Sequence, residues 1–288
     1  MNKIKSSSSP TISLVIPSLL PTQLTWFVSH NLPLLKSEID KHRLELILVS
    51  APHSTFYQLK QQYPHLNWLA YDTRQGFAPS VNYGFKHAHG RQWWGTINDD
   101  VLLNKNFLAR LLAFARPQTG ALNPVIVNPQ GKIESAGIKI LPQGKAVAQK
   151  ELSQNQPYQT DVSNAACVLY RTAALKQVGL FDSRFGSYLE DIDLSIRLQR
   201  SGWQQLVCPA VRVIHHHRTT SKQVLSPIYV AWLNLKNWWL LILKHWELKT
   251  WLRYGHLICL ERLRNLSGLI KSLFYTTSAN WPSSRRNK

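Results

Sequence analysis

Short apolar segments alternate with longer amphipathic ones along the first 220 residues, and Gly, Pro, Asn or Ser separate many of them. This alternation is typical of strands followed by helices, and it predicts an α/β fold with a mainly parallel sheet. In the first half, strands are predicted over Ile12–Ile16, Leu44–Val49, Leu66–Tyr71 and Trp93–Ile97. Helices are predicted around them, for example over Pro79–Ala88 and Asn106–Ala115.

The pattern after residue 120 predicts further short strands and two helices, with Gly and Pro between them. The strands are expected over Lys132–Ile140, Val162–Tyr170, Gln204–Val207 and Val211–His215. The helices are expected over Thr172–Val178 and Glu190–Arg200.

The remainder of the chain has a different composition. Apolar and basic residues recur at helical spacing from Ser226 to Tyr275, which predicts two long helices. Their most apolar part, Ile228–Leu243, is interrupted by polar residues and is shorter than the roughly 20 residues needed to cross a bilayer. We therefore divide the chain into an α/β region, residues 1–221, and a helical tail, residues 222–288.

Charge narrows the choice of partner. The chain has 34 Lys and Arg against 15 Asp and Glu, a net charge of +19, which indicates an anionic partner. Six of the 11 tryptophans lie in the basic tail, and this mixture favours an anionic membrane surface. The alternative is that the tail helices pack back on the α/β region. No signature of a nucleic-acid reader is visible, so nucleic acid is not expected as a partner.

Compartment is indicated by the cysteines and the first residues. The 3 cysteines are widely spaced and form no CxxC pair, which fits a reducing environment. Residues 1–10 are polar and do not resemble a signal peptide. A cytoplasmic protein, peripheral on the inner face of the cytoplasmic membrane, is the expectation.

The few acidic residues supply the strongest chemical signal. Five of the 15 lie in two clusters, Asn98-Asp99-Asp100 after a predicted strand and Glu190-Asp191-Ile192-Asp193 at the start of a predicted helix. Clustered like charges are unfavourable unless a cation or a proton-transfer role compensates. The clusters predict a divalent-metal site on a loop and a general base on a helix, although each alone also fits an ordinary polar loop or an acidic first helical turn.

Several other segments are weaker signals on their own. Gly76 and Asn82 fall in a segment of strand-to-helix character, which fits either a ligand site or plain turn punctuation. The triplet His215-His216-His217 alternates faces on a strand, so at most two of its rings point the same way.

Taken together, these segments resemble the family 2 glycosyltransferases of the GT-A fold, in particular bacterial rhamnosyltransferase-like members. The resemblance runs over roughly residues 11–221. It is carried by these segments: the opening strand ending at Pro17, Gly76-Phe77-Ala78 with Asn82 and Gly84, Asn98-Asp99-Asp100 at the family's Asp-x-Asp position, Val178–Asp182 followed by Glu190–Leu194 with Arg197, and Val213-Ile214-His215 with Ser221 beyond.

The resemblance implies a GT-A fold, a nucleotide-sugar donor, and a role for each matched residue. Asp100, with His215, would bind Mg²⁺ or Mn²⁺. Asp191 would accept the proton of the acceptor hydroxyl, and Glu190 and Asp193 would position it. The donor would contact Pro17, Gly76, Asn82, Asn98, Asp99 and Arg197.

The implied activity is inverting transfer of a sugar, with rhamnose from its dTDP form as the first choice, to a lipid-linked or cell-surface polysaccharide acceptor. One segment departs from the family. Leu48–Ser54 has no acid where members usually carry the Asp that reads the nucleobase, so base recognition must differ or rest on backbone groups and Asp72. This departure keeps open the alternative of a catalytically inactive scaffold that binds glycan or partner enzymes.

Overall fold

The computed structural model describes residues 11–41, 43–216 and 225–277. The predicted boundary at 221/222 lies outside the described residues, as do His217 and Ser221.

The first half of the fold is a four-stranded parallel sheet with its connecting helices. Its elements are β1 (Ile12–Ser18), α1 (Pro21–Asp40), β2 (Leu44–Ser50), α2 (Ser54–Gln62), β3 (Asn67–Ala70), α3 (Phe77–Lys86) and β4 (Trp93–Ile97). The strands lie in the order β3-β2-β1-β4 and all neighbouring pairs are parallel. The carboxyl ends of β1 and β4 therefore meet at one edge of the sheet, where open α/β sheets bind ligands.

The second half extends this sheet and adds the helices that carry the acids. Its elements are β5 (Val101–Leu102), α4 (Phe107–Leu112), β6 (Thr119–Val127), β7 (Ile133–Ser135), β8 (Ile138–Leu141), β9 (Lys145–Ala148), β10 (Tyr158–Gln159), β11 (Cys167–Arg171), α5 (Thr172–Val178), α6 (Glu190–Arg200), β12 (Gln204–His215), α7 (Pro227–His245) and α8 (Leu248–Thr277). β11 joins β4 in antiparallel fashion, and β6, β12 and β10 follow in that order. β8 and β9 form a separate hairpin.

Both faces of the central sheet are buried. Along β1, Leu14 and Ile16 face a core shared with Leu24 and Phe27 of α1, whereas Val15 joins a second core on the opposite face. This alternation follows from the period of two along a strand, and burial on both faces explains the nearly continuous apolar segments in the sequence.

The predicted α/β fold with a mainly parallel sheet is confirmed; strands β1, β2 and β3 differ from the prediction only in one or two end residues, but the later strands differ more. The predicted strand Lys132–Ile140 is broken because Gly137 has a φ of +105°, a conformation that L side chains rarely adopt. The strand predicted from Val162 begins only at Cys167. The two strands predicted over 204–215 are one strand with an irregular register between Cys208 and Arg212.

The two tail helices are found where they are predicted, and α7 packs against the α/β region. Trp238, Leu241 and Ile242 of α7 join a buried cluster with Phe185 and with Ile192 of α6. The tail tryptophans mostly make contacts within the protein. Trp238 lies under the Arg262 guanidinium, Trp246 donates to the carbonyl of Pro142, and Trp239 stacks on Trp251. Packing on the domain, one of the two alternatives for the tail, thus describes α7.

Candidate active site

The loop after β4 carries the first acidic cluster to the carboxyl edge of the sheet. Asp99 is buried and accepts a 2.6 Å hydrogen bond from the Ser18 hydroxyl at the end of β1. The pKa of Asp99 is raised to about 7, mainly by burial and also by the nearby charge of Asp100. The hydrogen bond from Ser18 acts in the opposite direction and lowers it. Asp99 therefore ties the loop to the neighbouring parallel strand β1.

Asp100 and His215 meet at this edge although they lie far apart in the sequence. The Nε2 atom of His215, at the end of β12, is 2.9 Å from Oδ1 of Asp100. The backbone N–H of His216 donates to the Asp100 carbonyl over 3.0 Å, which fixes the strand end against the loop. The structure thus brings together the two residues predicted to bind the metal.

A divalent cation fits this pair only if the substrate supplies further ligands. Within the described ranges, no group of three or more His, Cys, Asp or Glu side chains could by itself hold a metal ion. Mg²⁺ characteristically takes one or two carboxylates from the protein and completes its coordination with phosphate oxygens and water. The Asp100–His215 pair, open to a cavity, suits that mode.

The second acidic cluster opens α6 and faces the same cavity with two of its three acids. Glu190 and Asp191 line the cavity. Burial raises the pKa of Asp191 to about 6, although backbone N–H groups, including that of Ile192 at 2.9 Å, lower it. Burial also raises the pKa of Glu190 well above its usual range, and the charge of Asp191 raises it further. Burial and the repulsion between the two carboxylates therefore disfavour the state in which both are charged.

Asp193 points the opposite way. Its fully buried carboxylate contacts Arg197 at 2.8 Å, Lys244 at 2.6 Å and His245 at 2.8 Å. Burial alone would raise the pKa of Asp193, but hydrogen bonds from His245 and Lys244 hold it below its ordinary value. Asp193 thus joins α6 to α7, and any effect on Asp191 is exerted through the position of the helix.

Arg197 and Asn82, which the sequence places at the donor, lie outside the cavity. The Arg197 guanidinium bonds Asp193 and donates to the carbonyls of Val178 and Leu180. The Asn82 amide donates to the carbonyl of Phe181 at 2.7 Å and accepts from the N–H of the same residue at 3.1 Å. Both side chains are therefore engaged within the protein, and their expected contact with the donor stays a prediction.

The cavity between the two acidic clusters has a volume of about 600 Å³. Pro17, Gly76, Asn98, Asp99, Asp100, His215, Glu190 and Asp191 line it. Eight of the eleven predicted site residues thus surround one cavity. The opposite wall comes from Ile138 and Ala148 of the β8–β9 hairpin and from Tyr229 and Leu233 of α7. One side of the cavity is rich in acids and the other is largely apolar.

Gly76 is required by a close approach of two backbone segments. Its φ is +115°, and a Cβ atom there would lie 2.6 Å from the backbone of Gly186. The N–H of Ala78 donates to the carbonyl of Gly186 at 2.8 Å, so the start of α3 is bonded to the loop that leads into α6. A side chain at position 76 would separate these segments.

The segment that lacks the nucleobase-reading Asp has its polar groups occupied. Ser50 is buried and lies 3.3 Å from Nε2 of His53, whose Nδ1 caps α2 by accepting from the N–H of Phe56. Asp72, the acid suggested as a substitute, bonds its neighbour Arg74, and it is Arg74 that lines the cavity.

Sequence reasoning missed residues whose roles depend on contacts between distant segments. Ser18 and Arg74 are examples near the donor side. Ser187, whose hydroxyl accepts from the N–H of Phe77 at 2.9 Å, and Asn237 of α7 are examples near the acids. Ser18 lies two residues beyond the predicted strand Ile12–Ile16 and could have been found by that position; the others had no local signal.

Comparison with known proteins agrees with this geometry. Residues 38–227 match the sequence profile described as glycosyltransferase like family 2. The chain belongs to this family. The match confirms the family and the glycosyltransferase class predicted from the motifs.

Two relatives share about a quarter of the matched residues with this chain. An N-acetylglucosaminyl-diphospho-decaprenol L-rhamnosyltransferase of Mycobacterium tuberculosis is 27% identical over 185 residues, 54% of this chain and 60% of the relative. The O-antigen biosynthesis protein RfbC of Myxococcus xanthus is 26% identical over 247 residues, 78% of this chain and 19% of the relative. The chain therefore spans less than two thirds of either relative.

A solved structure supports the fold. GalNAc-T7 with UDP, GalNAc and Mn²⁺ superposes with a TM-score of 0.65 at 15% identity, over 84% of this chain and 49% of that chain. The predicted GT-A fold is confirmed by this likeness.

Proposed function

We propose that this protein is an inverting, metal-dependent glycosyltransferase that moves a sugar from a nucleotide-sugar to a lipid-linked or cell-surface polysaccharide acceptor. The observation that carries the proposal is one cavity with Asp100 and His215 on one side and Asp191 at the start of α6. Rhamnose from its dTDP form is the first candidate donor, because the mycobacterial relative is named a rhamnosyltransferase acting on a diphospho-decaprenol acceptor.

In the proposed reaction Asp191 is the general base. Its carboxylate takes the proton of an acceptor hydroxyl while the hydroxyl oxygen bonds the anomeric carbon and the bond from that carbon to the diphosphate breaks. Attack from the face opposite the leaving group inverts the configuration, through a transition state with oxocarbenium character. A bound divalent cation at Asp100 and His215 would neutralise charge on the leaving diphosphate. The polar loop at Asn98 and Asp99 would hold the donor beside them.

The absent nucleobase-reading acid favours a second candidate, an inactive scaffold that keeps the fold and binds glycan or partner enzymes. The experiment that separates the two begins with thermal shifts against a panel of nucleotide-sugars with and without Mn²⁺. Transfer or slow donor hydrolysis is then measured for each donor that binds. A metal-dependent shift with turnover supports the enzyme. Glycan binding without donor binding or hydrolysis, at any metal concentration tested, supports the scaffold.

We also propose that the protein lies on an anionic membrane surface through the outer face of α8. Among the described residues no helix is both long and apolar enough to span a bilayer. The outer face carries exposed apolar side chains at spacings of 3, 4 and 11, which places them on one side of a helix. They are Leu248, Leu252, Leu263, Leu266, Ile270 and Leu273.

The basic residues near this face favour an anionic membrane as its binding partner. Exposed Lys249, Arg253, Arg264 and Lys271 flank the apolar stripe. Each basic residue near an anionic bilayer contributes about 1 kcal/mol to binding, whereas a second copy of the same helix would bring like charges together. The stripe is about 37 Å long at 1.5 Å per residue, a length that suits an extended surface better than a pocket.

Vesicle sedimentation tests the membrane proposal. The double variant Leu252→Glu/Leu263→Glu should lose binding to vesicles rich in phosphatidylglycerol, while the wild type binds them and ignores neutral ones. Leu34→Glu on α1, at a leucine that is 36% exposed, is the matched control and should bind normally. Equal binding by the double variant would contradict the proposal, and so would a wild type that binds no vesicles and self-associates instead.

A further inference from the structure

The loop of residues 185–189 connects three parts of the molecule that the proposed reaction requires. Its Gly186 carbonyl and Ser187 hydroxyl accept from the first N–H groups of α3, at 2.8 and 2.9 Å. Its end leads directly into Glu190, the first residue of α6. The loop therefore sets the distance between the donor side of the cavity and the acids.

The backbone of this loop is in an unfavourable conformation. Tyr188 has a φ of +71° and Leu189 a φ of +67°, and neither is glycine. Two consecutive residues with side chains in the left-handed region persist only where the surrounding structure holds them. Leu189 is also the N-cap of α6 and makes no side-chain capping hydrogen bond, so the helix start depends on the loop.

Asn237 of α7 supplies the constraint. Its fully buried Nδ2 lies 2.9, 2.8 and 2.7 Å from the carbonyl oxygens of Phe185, Ser187 and Tyr188, and its two hydrogens are shared among these three acceptors. All three partners are acceptors, so the amide must present its nitrogen to them. Its Oδ1 is buried without a hydrogen-bond partner among the described residues, so the side chain is used here entirely as a donor.

We propose that Asn237 is a positioning residue for the general base: it holds the 185–189 loop in its left-handed conformation and thereby fixes the start of α6 relative to the donor side of the cavity. The proposal rests on the proposed function for the identity of the base. It assigns a role to the tail that the sequence did not suggest, because α7 acts on the reaction through one amide fifty residues away from the loop.

Asn237→Ala tests the proposal, with Leu241→Ala as the matched control. Leu241 is equally buried on the same helix and packs in the apolar cluster that includes Phe185, but its side chain cannot donate a hydrogen bond to the loop, so it controls for the loss of packing alone. Both changes should lower the Tm. In Asn237→Ala alone, hydrogen exchange should accelerate at the backbone N–H groups of residues 185–193, since the N–H of Asp193 donates to the Leu189 carbonyl.

The kinetic expectation separates positioning from stability. The kcat of Asn237→Ala, per folded molecule, should fall roughly 10- to 100-fold, because a misplacement of about 1 Å can cost that much. The KM for the donor should change less than about threefold, because the hydrogen bonds of Asn237 go to the 185–189 loop and not to the loop of Asn98, Asp99 and Asp100 that is proposed to hold the donor. The kcat of Leu241→Ala should stay within about threefold of the wild type. If Asn237→Ala does not fold, Asn237→Ser, which keeps one small donor, is measured in the same two assays.

The outcomes distinguish the two proposals. A wild type that transfers no sugar counts against the proposed function. An active wild type, beside an Asn237 variant with unchanged exchange in the loop and unchanged kcat, overturns the role of Asn237. Equal losses of kcat in the Asn237 and Leu241 variants also overturn it, since α7 would then act only through stability.

Discussion

The two acidic clusters look alike in the sequence, but the fold stabilises their carboxylates in different ways. On the loop after β4, Asp99 and Asp100 each find a partner from another strand, Ser18 and His215. On α6, Glu190 and Asp191 face the cavity, whereas Asp193 turns to the back and meets Arg197, Lys244 and His245. One cluster is stabilised by polar neighbours at the sheet edge, and the other is divided by the turn of a helix.

This difference shows how a helix assigns separate tasks to neighbouring acids. Successive residues of a helix differ by about 100° in direction, so residues at i and i+2 cannot share a face. Asp191 can therefore face the cavity with its pKa raised to about 6, while Asp193, two residues later, contacts Arg197, Lys244 and His245. The comparison predicts that changes at 191 affect chemistry and changes at 193 affect stability.

The largest effect is expected from Asp191→Asn. The amide keeps the size and shape of the side chain but cannot accept the proton, so transfer should fall roughly 10²- to 10⁴-fold. Donor affinity, measured by titration with Mn²⁺, should be nearly unchanged. Turnover above about half of the wild-type value would show that Asp191 is not the base.

Asp193→Asn should act on stability instead. The change removes the buried anion that Arg197, Lys244 and His245 contact, and removing one partner of a buried ion pair typically costs about 3–5 kcal/mol. Urea unfolding measures the loss. The control is Glu38→Gln, whose partner Arg43 is 51% exposed, and which should cost about 1 kcal/mol or less. If Asp193→Asn instead abolishes kcat per folded molecule with full stability, the assignment is reversed.

The sequence predicts the first half of the fold well because each strand is apolar on both faces. β4 and the helices α5 and α6 have the predicted bounds. The acids were also found, because clustering of scarce acids is a local signal. The direction of Asp193 was not found, since its partners Lys244 and His245 lie fifty residues away and only tertiary packing brings them together.

Asn82 shows the same limit from the other side. Its place in a glycine-containing segment is typical of a residue that contacts a ligand. In the structure, however, its amide is hydrogen-bonded to the backbone of Phe181, ninety-nine residues further along the chain. The two strands predicted over 204–215 form one strand because both halves pair with the neighbouring strand β6, on either side of the irregular register between Cys208 and Arg212.

Asp100→Ala should produce a smaller effect than Asp191→Asn. The effect should be on donor binding. Donor affinity in the presence of Mn²⁺ should weaken roughly 10- to 100-fold, and the response to Mn²⁺ should disappear, because a hard oxygen ligand is lost. His215→Ala should show a smaller loss in the same titration. Asp40→Ala, at an exposed acid on α1, is the control and should respond to Mn²⁺ like the wild type. An unchanged metal response in Asp100→Ala would place the metal elsewhere.

The smallest effect separates the two acids that face the cavity. Because burial raises the pKa of Asp191 to about 6, the base is lost to protonation below that pH, and the transfer rate should fall about tenfold per pH unit there. The pKa of Glu190 is raised well above its usual range, first by burial and then by the charge of Asp191, which favours the neutral form of Glu190. Glu190→Gln resembles that neutral form and should leave the acid limb of the pH–rate profile in place, with only a modest change in kcat. A limb that moves to lower pH in this variant would mean that the two carboxylates share one proton, and that the charge near neutral pH does not reside on Asp191 alone.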